Sequence, residues 1–374
     1  MILIVDTVRQ AGEHLELNKA VVESLIENDR KVVFLTSRDY WESFSASMRE
    51  RMEFQSTERL SSGLVGTLRS LILLVSIALF RRKYNRIVFL SSITYSSFLL
   101  SVLSYLGLIR PRVFVFLHEV SYIDSIKVSA KCAGYFLKSA LSIGLRNRGK
   151  FLIVGAYIKC ELERRVNFNR SSTVFIEHPT SNSPYHEPKK ALKSIKFAAI
   201  GVQCDEKHSY KIETVADYNR ELVNAGAMSL STIGRLDYIH DLKVPVNHVG
   251  LEYDTYLMPF DDFELFILDQ HYLLFFLGKE YDLKTSGTIF DAVKYQKPII
   301  ALSCNLIDFY FEKFGNIGHV YRCIDDMKSG IASLCENFDQ ELYSLQVRNL
   351  TEIKKQTSGI QFRREIQQLI VCKE

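Results

Sequence analysis

Short aliphatic or β-branched runs recur along the chain, each followed by a loop and then by a longer stretch with apolar residues at helical spacing. The runs Ile2–Val5, Lys31–Leu35, Arg86–Leu90, Val113–Leu117, Phe151–Val154 and Thr173–Ile176 are predicted as strands. A polar, proline-containing segment from Glu177 through Pro184, continuing past Lys189, Lys190 and Lys193, has the composition of an interdomain linker. The series restarts with Ile195–Ile200, Leu230–Ile233, Leu273–Phe276 and Pro298–Leu302, separated by helical stretches such as Lys207–Ala225 and Thr288–Tyr295. Strands alternating with helices imply parallel α/β layers, so two α/β domains are expected, residues 1–184 and 185–374, facing one another across a cleft. Leu342–Lys355 and Gly359–Val371 read as amphipathic helices. In two-domain architectures of this sort the last helix commonly packs back onto the first domain.

The chain has 374 residues, 47% hydrophobic and 24% charged, proportions that exclude a largely disordered or fibrous protein. Residues 1–180 hold 25 Lys/Arg against 16 Asp/Glu, a net of +9, and residues 181–374 hold 22 against 27, a net of −5. Such an asymmetry suggests domains facing different partners. No carboxylate occurs between Glu58 and Glu119 or between Asp124 and Glu161, intervals that carry Arg69, Arg81, Arg82, Lys83, Lys131 and Arg148 among other cations. Seven cysteines form no C-x-x-C pair, which argues against a zinc knuckle or a disulfide framework. The opening Met-Ile-Leu-Ile-Val-Asp lacks a basic leader and a cleavage site, so a cytosolic compartment is expected. The apolar run Ser70–Phe80 has eleven residues, short of the roughly 20 needed to span a bilayer. Followed at once by Arg81, Arg82, Lys83 and Arg86, it fits either a segment lying in an anionic interface or a buried helix with cations at its C-terminal dipole.

Parallel sheets bind ligands beyond the carboxyl ends of their strands, which directs attention to the strand-to-helix loops. In Tyr281-Asp-Leu-Lys-Thr-Ser-Gly-Thr-Ile-Phe-Asp291, the residues Thr285, Ser286, Gly287 and Thr288 open a helix and Asp291 lies one turn inside it. Small hydroxyl residues and a glycine there leave N–H groups and a positive dipole end for a diphosphate, with Asp291 placed for a ribose. The same residues also fit a simple N-cap with an acid complementing the dipole.

The run from Ser286 to Ala301 (S-G-T-I-F-D-A-V-K-Y-Q-K-P-I-I-A) resembles the C-terminal nucleotide-sugar loop of GT-B glycosyltransferases, especially family 4 and its relatives in bacterial surface-polysaccharide synthesis. The resemblance implies two Rossmann-like domains, the second holding a nucleoside diphosphate sugar, most simply UDP-linked, as co-substrate rather than cofactor. It carries donor binding onto Ser286, Gly287, Thr288 and Asp291, and onto Gly201 and Lys207 in Ala198-Ala-Ile-Gly-Val-Gln-Cys-Asp-Glu-Lys207, with Lys279 as a further phosphate cation. Two departures stand out: the arginine usual after the glycine is Val202, and the first acid of the E-x7-E pattern is Leu283, leaving Asp282 or Glu280 as displaced candidates.

In the first domain, Val113–Val120 is a strand ending in His118-Glu119, which the resemblance makes the catalytic pair; a histidine tied to backbone with Glu119 as its orienting partner is the plainer alternative. The loop Asp6–His14 is similar to the family's acceptor-facing loop, giving Gly12, Glu13 and His14 as acceptor residues. It has one glycine and is no dinucleotide fingerprint. No paired metal-ligand spacing appears, so phosphate charge is expected to be met by lysines and helix dipoles without a metal.

The expected activity is transfer of a sugar to a glycan or lipid-linked glycan in surface-polysaccharide biosynthesis, by a peripheral enzyme on the inner face of the plasma membrane. Its basic first domain would rest on anionic lipid. A non-catalytic partner of another transferase is the alternative, which Leu283 and Val202 favour, and a sugar-nucleotide epimerase is a third possibility that the basic domain disfavours. Nucleic acid is not expected as a partner, because the cations lie among long apolar runs with no recognised binding motif.

Overall fold

The computed structural model describes residues 1–7, 14–27, 31–57, 64–80, 83–118, 120–125, 127–147, 149–180, 194–235, 246–249 and 260–372. Gly12, Glu13, Arg81, Arg82, Glu119, Arg148 and the linker from residue 181 to 193 lie outside them. The chain divides into two units. Unit 1 comprises Met1–Pro179, Leu283–Thr285 and Gly359–Glu374; unit 2 comprises Thr180–Asp282 and Ser286–Ser358.

Unit 1 begins with β1 (Ile2–Asp6), α1 (Leu15–Ile26), β2 (Val32–Thr36), α2 (Arg38–Glu42), α3 (Ala46–Arg49) and β3 (Glu53–Ser56). It continues with α4 (Leu64–Phe80), β4 (Arg86–Phe89), α5 (Thr94–Tyr105), β5 (Arg112–Leu117), α6 (Val128–Ile143), β6 (Lys150–Val154), α7 (Ile158–Arg165) and β7 (Thr173–Ile176). The strands form one parallel sheet in the order β3-β2-β1-β4-β5-β6-β7. Every residue of β1 and β2 is buried, as a parallel sheet covered on both faces requires. On one side α4 packs on α5 and α5 on α6.

Unit 2 contains β8 (Ile195–Ile200), α8 (Lys211–Tyr218), α9 (Arg220–Asn224), β9 (Met228–Ile233), β10 (Asn247–Val249), α10 (Phe260–Leu268) and β11 (Tyr272–Phe275). After these come α11 (Gly287–Lys294), β12 (Ile299–Leu302), α12 (Asn305–Phe314), β13 (Gly318–Tyr321), α13 (Ile324–Glu336) and α14 (Gln340–Gln356). The six strands are again parallel, in the order β10-β9-β8-β11-β12-β13. Phe197, Leu230, Leu274, Ile300, Met327 and Tyr343 belong to one core.

The strands expected from the apolar runs are present, with ends shifted by no more than two residues. Three more, β3, β10 and β13, were not evident in the pattern, and all three are sheet edges. The helical stretch expected from Lys207 to Ala225 is broken: Asp205–Lys207 is a single 3-10 turn, His208 is left-handed at φ 50°, and α8 starts only at Lys211.

The final helix, α15 (Gly359–Ile366), runs into a π-helical turn at Gln367–Val371. It belongs to unit 1 and packs on α1. Arg363 pairs with Glu23 at 2.8 Å, the Gln367 amide donates to Glu27 at 2.6 Å, and Arg86 donates to the Val371 carbonyl at 3.1 Å. Phe362, Ile366 and Ile370 join Ile4, Leu17 and Phe34 in the unit 1 core. Ile366 is fully buried, so Ile366→Ala is expected to cost about 2–5 kcal/mol, read as a lowered urea midpoint of unit 1.

In unit 2, desolvation lowers the pKa of Lys354 on α14 to about 8, the Lys294 ammonium on α11 adding to the effect and Glu264 opposing it. The native state thus releases this proton before the unfolded chain does, so the unfolded state binds more protons between about pH 8 and the ordinary lysine value of 10.5. Stability from this group is complete above that ordinary value and is lost as pH falls through about 8. Thermal melts of wild type and Lys354→Met across that range should show wild type gaining on the variant as pH rises.

Candidate functional site

In unit 2 the site is built where the sheet changes direction. The chain leaves β8 for β9 on one side and leaves the adjacent β11 for β12 on the other, the topology that opens a crevice beyond the carboxyl ends of the two central strands. Gly201 follows β8 with φ 84°, a conformation that favours glycine. A Cβ there would lie 2.9 Å from Thr288 Cγ2 and 3.3 Å from Lys207 Nζ. Bare backbone at Gly201 is therefore what lets the lysine ammonium and the first turn of α11 converge. Gly234, at φ 124° after β9, is fixed by the same crowding, since a side chain on it would collide with the Gly201 carbonyl. Gln203 is buried and donates from its amide to the Gly201 carbonyl at 2.9 Å, bracing the loop.

Ser286 is the N-cap residue of α11, with extended backbone and no side-chain cap hydrogen bond. Its hydroxyl is instead 2.7 Å from that of Thr288, so the simple capping alternative does not describe its side chain. Gly287 is exposed at the first helical position, and Asp291 is half-buried one turn further on. The N-terminal end of α11, the two hydroxyls and Lys207 lie together here, and their chemistry suits a phosphate group. Lys279 is exposed on the 3-10 turn Lys279–Tyr281 that follows β11.

Of the two displaced acids, Asp282 accepts from the Asn305 amide at 3.1 Å on the first turn of α12. Glu280 instead pairs with His208, Oε2 to Nε2 at 3.5 Å. Leu283 is buried, 2% exposed, and its carbonyl accepts from Val120 N at 3.1 Å within unit 1. In the same unit Thr285 donates to the Val154 carbonyl at 2.7 Å, an approach that only a glycine at 155 permits.

In unit 1, His118 stands at the end of β5, buried, with Nε2 2.7 Å from the Leu90 carbonyl. A carbonyl only accepts, so Nε2 is the nitrogen that donates in this bond. His14, left-handed at φ 50° as the N-cap residue of α1, lies against it with ring centroids 4.2 Å apart and the planes tilted by 38°. The structure thus brings the two sequence-predicted histidines together, while their neighbours Gly12, Glu13 and Glu119 lie outside the described residues. A further polar residue of unit 1 is one the sequence pattern does not single out. Asp6 is 2% exposed at the end of β1, accepting from Ser91 at 2.6 Å and from Asn18 at 3.2 Å. Its signal was an acid closing an otherwise apolar strand. Among the described residues no group of three or more His, Cys, Asp or Glu is arranged to hold a metal ion.

No protein-family model matches the sequence, and no curated protein does. Solved structures do match in shape. WaaG, a glycosyltransferase involved in lipopolysaccharide biosynthesis, aligns with a TM-score of 0.69 at 10% identity over 100% of both chains. HepE of Anabaena, in complex with UDP and glucose, aligns at 0.66 and 12% identity over 98% of each chain. WaaB, a lipopolysaccharide outer core galactosyltransferase, aligns at 0.59 and 11% identity over 97% of this chain and 99% of its own. The chain has the two-sheet α/β architecture of these proteins, the GT-B glycosyltransferase fold.

Proposed function

We propose that the protein is a glycosyltransferase that moves a sugar from a UDP-linked donor to a glycan or lipid-linked glycan acceptor in surface-polysaccharide biosynthesis. The observation that carries this is the convergence of Gly201, Lys207 and Thr288 at the start of α11. It provides backbone approach, a cation and a helix N-terminus at one point. Three structural neighbours support the choice of donor, being complexes of HepE with UDP and glucose, UDP-glucose, or UDP. In this reading Ser286, Gly287, Thr288 and Lys207 hold the diphosphate, Lys279 adds charge at its rim and Asp291 takes the ribose. The phosphate charge is met by these groups and needs no metal. His118, with Glu119, acts on the transferred sugar, and Gly12, Glu13 and His14 belong to the acceptor side.

The acceptor's lipid anchor explains the exposed face of the α4–α5–α6 layer. Among the described residues no helix is long and apolar enough to cross a membrane. Leu68 and Ile72 on α4 and Val128 and Tyr135 on α6 are nonetheless more than half exposed, with Arg69 and Lys131 beside them in sequence and also exposed. Apolar side chains interleaved with cations suit the anionic inner leaflet, each surface cation contributing about 1 kcal/mol. A non-catalytic partner subunit is the second reading, favoured by the apolar burial of Leu283; release of UDP from a UDP-sugar by the purified protein would exclude it.

Thermal-shift titration with UDP, GDP, ADP and CMP should single out UDP, a ligand at 100 times its Kd adding about 2.7 kcal/mol. Lys207→Ala should weaken that binding at least about tenfold, a loss of roughly 1.4 kcal/mol, with circular dichroism unchanged. Absence of a shift with all four nucleotides sinks the donor assignment. In co-sedimentation, vesicles with anionic lipid should retain the protein at low salt and release it as ionic strength rises. Val128→Asp should reduce retention severalfold, and equal behaviour on zwitterionic vesicles would remove the membrane from the proposal.

A further inference from the structure

The strands β5, β6 and β7 run parallel, so the loop between α7 and β7 lies at their amino ends, the opposite end of the sheet from His118. There the last turn of α7 and residues 166–170 border a cavity of about 320 Å³. Among the described residues its lining holds three guanidiniums, Arg164, Arg165 and Arg170, and one carboxylate, Glu163. The loop that walls it is held on both sides. Asn169 N donates to the Leu141 carbonyl at 2.8 Å, Asn169 Oδ1 accepts from Ser171 N at 3.1 Å, and the Ser142 hydroxyl donates to the Asn167 carbonyl. Val166 and Phe168 are buried, the latter against Phe175 with ring centroids 5.7 Å apart. The concavity is therefore a fixed part of the surface, and only its long charged side chains have room to turn.

The three arginines are not equivalent. The last turn of a helix favours cations, and Arg165 meets that need: 24% exposed at its side chain, it donates from Nη1 to the Glu161 carbonyl at 3.3 Å, pairs with Asp124 at 2.6 Å and also engages the Glu161 carboxylate. Arg164 and Arg170 exceed it. Their side chains are 72% and 80% exposed, and the carboxylates beside them are Glu161 at 2.8 Å and Glu163 at 3.6 Å. Exposed pairs of this kind contribute little to stability, and the buried Glu161 keeps Arg165 when Arg164 turns away. A planar guanidinium presents paired N–H donors that match phosphate oxygens two at a time. We propose that this cavity is a phosphate-binding site, separate from the convergence at Lys207, which takes a terminal phosphate group through Arg164 and Arg170 while Arg165 holds positive charge behind them. The group comes from a soluble phosphate compound or from a phospholipid headgroup, whose chemistry at this point is the same. Lying at the amino ends of the strands, the site has no part in the transfer step and does not depend on the nucleotide-sugar reading.

The test is calorimetric titration of the full-length protein with inorganic pyrophosphate, together with co-sedimentation on phosphatidylcholine vesicles that contain either phosphatidic acid or phosphatidylserine. Wild type is compared with Arg164→Ala, Arg170→Ala, the double variant and Lys207→Ala. Each single arginine substitution should weaken the phosphate ligand about tenfold, the worth of one charged hydrogen-bonding group, and the double variant should lose it. Lys207→Ala should leave that binding within about twofold, as distant sites do. Arg170→Lys, which keeps the charge and gives up the planar fork, should fall between wild type and Arg170→Ala. Pyrophosphate binding that the double variant lacks assigns a soluble ligand. Retention on phosphatidic acid alone, again lost in the double variant, assigns a headgroup. Three results would overturn the site: wild type binding neither probe, a double variant that binds as wild type does, or equal losses on phosphatidic acid and phosphatidylserine. Pyrophosphate binding abolished by Lys207→Ala instead would place the phosphate in unit 2, overturning this site while supporting the donor assignment.

Discussion

A parallel strand has to be covered on both faces, and that requirement arranges everything else in this molecule. In β1, β2 and β8 nearly every side chain is spent on the core, which leaves no position along the strands for chemistry. Polar function is pushed to the residues immediately beyond the carboxyl ends. There His118 and the Gly201 loop appear, and the buried Asp6 is the last residue of β1 itself. The charges and hydroxyls of the site are positioned to within a residue or two by where apolar burial stops.

In unit 2 a second constraint acts on top of the first. Two glycines, Gly201 and Gly234, stand where a side chain would collide, with Thr288 and Lys207 at the one and with the Gly201 carbonyl at the other. Glycine is required there by crowding as much as by dihedral angle. The gain is access: backbone N–H groups and a lysine head reach one point without intervening Cβ atoms. Unit 1 uses the opposite device, a polar network of Asp6, Ser91, Asn18 and Tyr40 that is buried and hydrogen-bonded. Such a network holds the start of α1 against the end of β1, the place from which His14 reaches His118.

Most of the fold was legible because interior strands are bounded runs of Val, Ile, Leu and Phe. The strands that escaped were edges, where one neighbour is missing and burial no longer enforces an apolar run: Glu53–Ser56 has exposed ends and a half-buried middle, and Gly318–Tyr321 is half-buried throughout. The helix break at His208 was hidden for another reason, since a left-handed histidine leaves the surrounding apolar spacing intact. Within the site, the segment Ser286–Asp291 was readable from the small residues at a helix start. The pairing of Glu280 with His208 was not, because residues 72 positions apart in sequence meet only through strand order.

The return of α15 to the first unit bears on how the chain is made. Unit 2 occupies the middle of the sequence, whereas the unit 1 core is closed by Phe362, Ile366 and Ile370, within the last 16 residues. Domains generally fold as they leave the ribosome, N-terminal first. Here the part of unit 1 that emerges first has the apolar face of α1 uncovered until residues 359–371 follow it, so the unit 1 core closes only after unit 2 has been synthesised. A chain lacking residues 359–371 leaves that face open to chaperones and proteases, which ties the lifetime of the molecule to the helix that covers it.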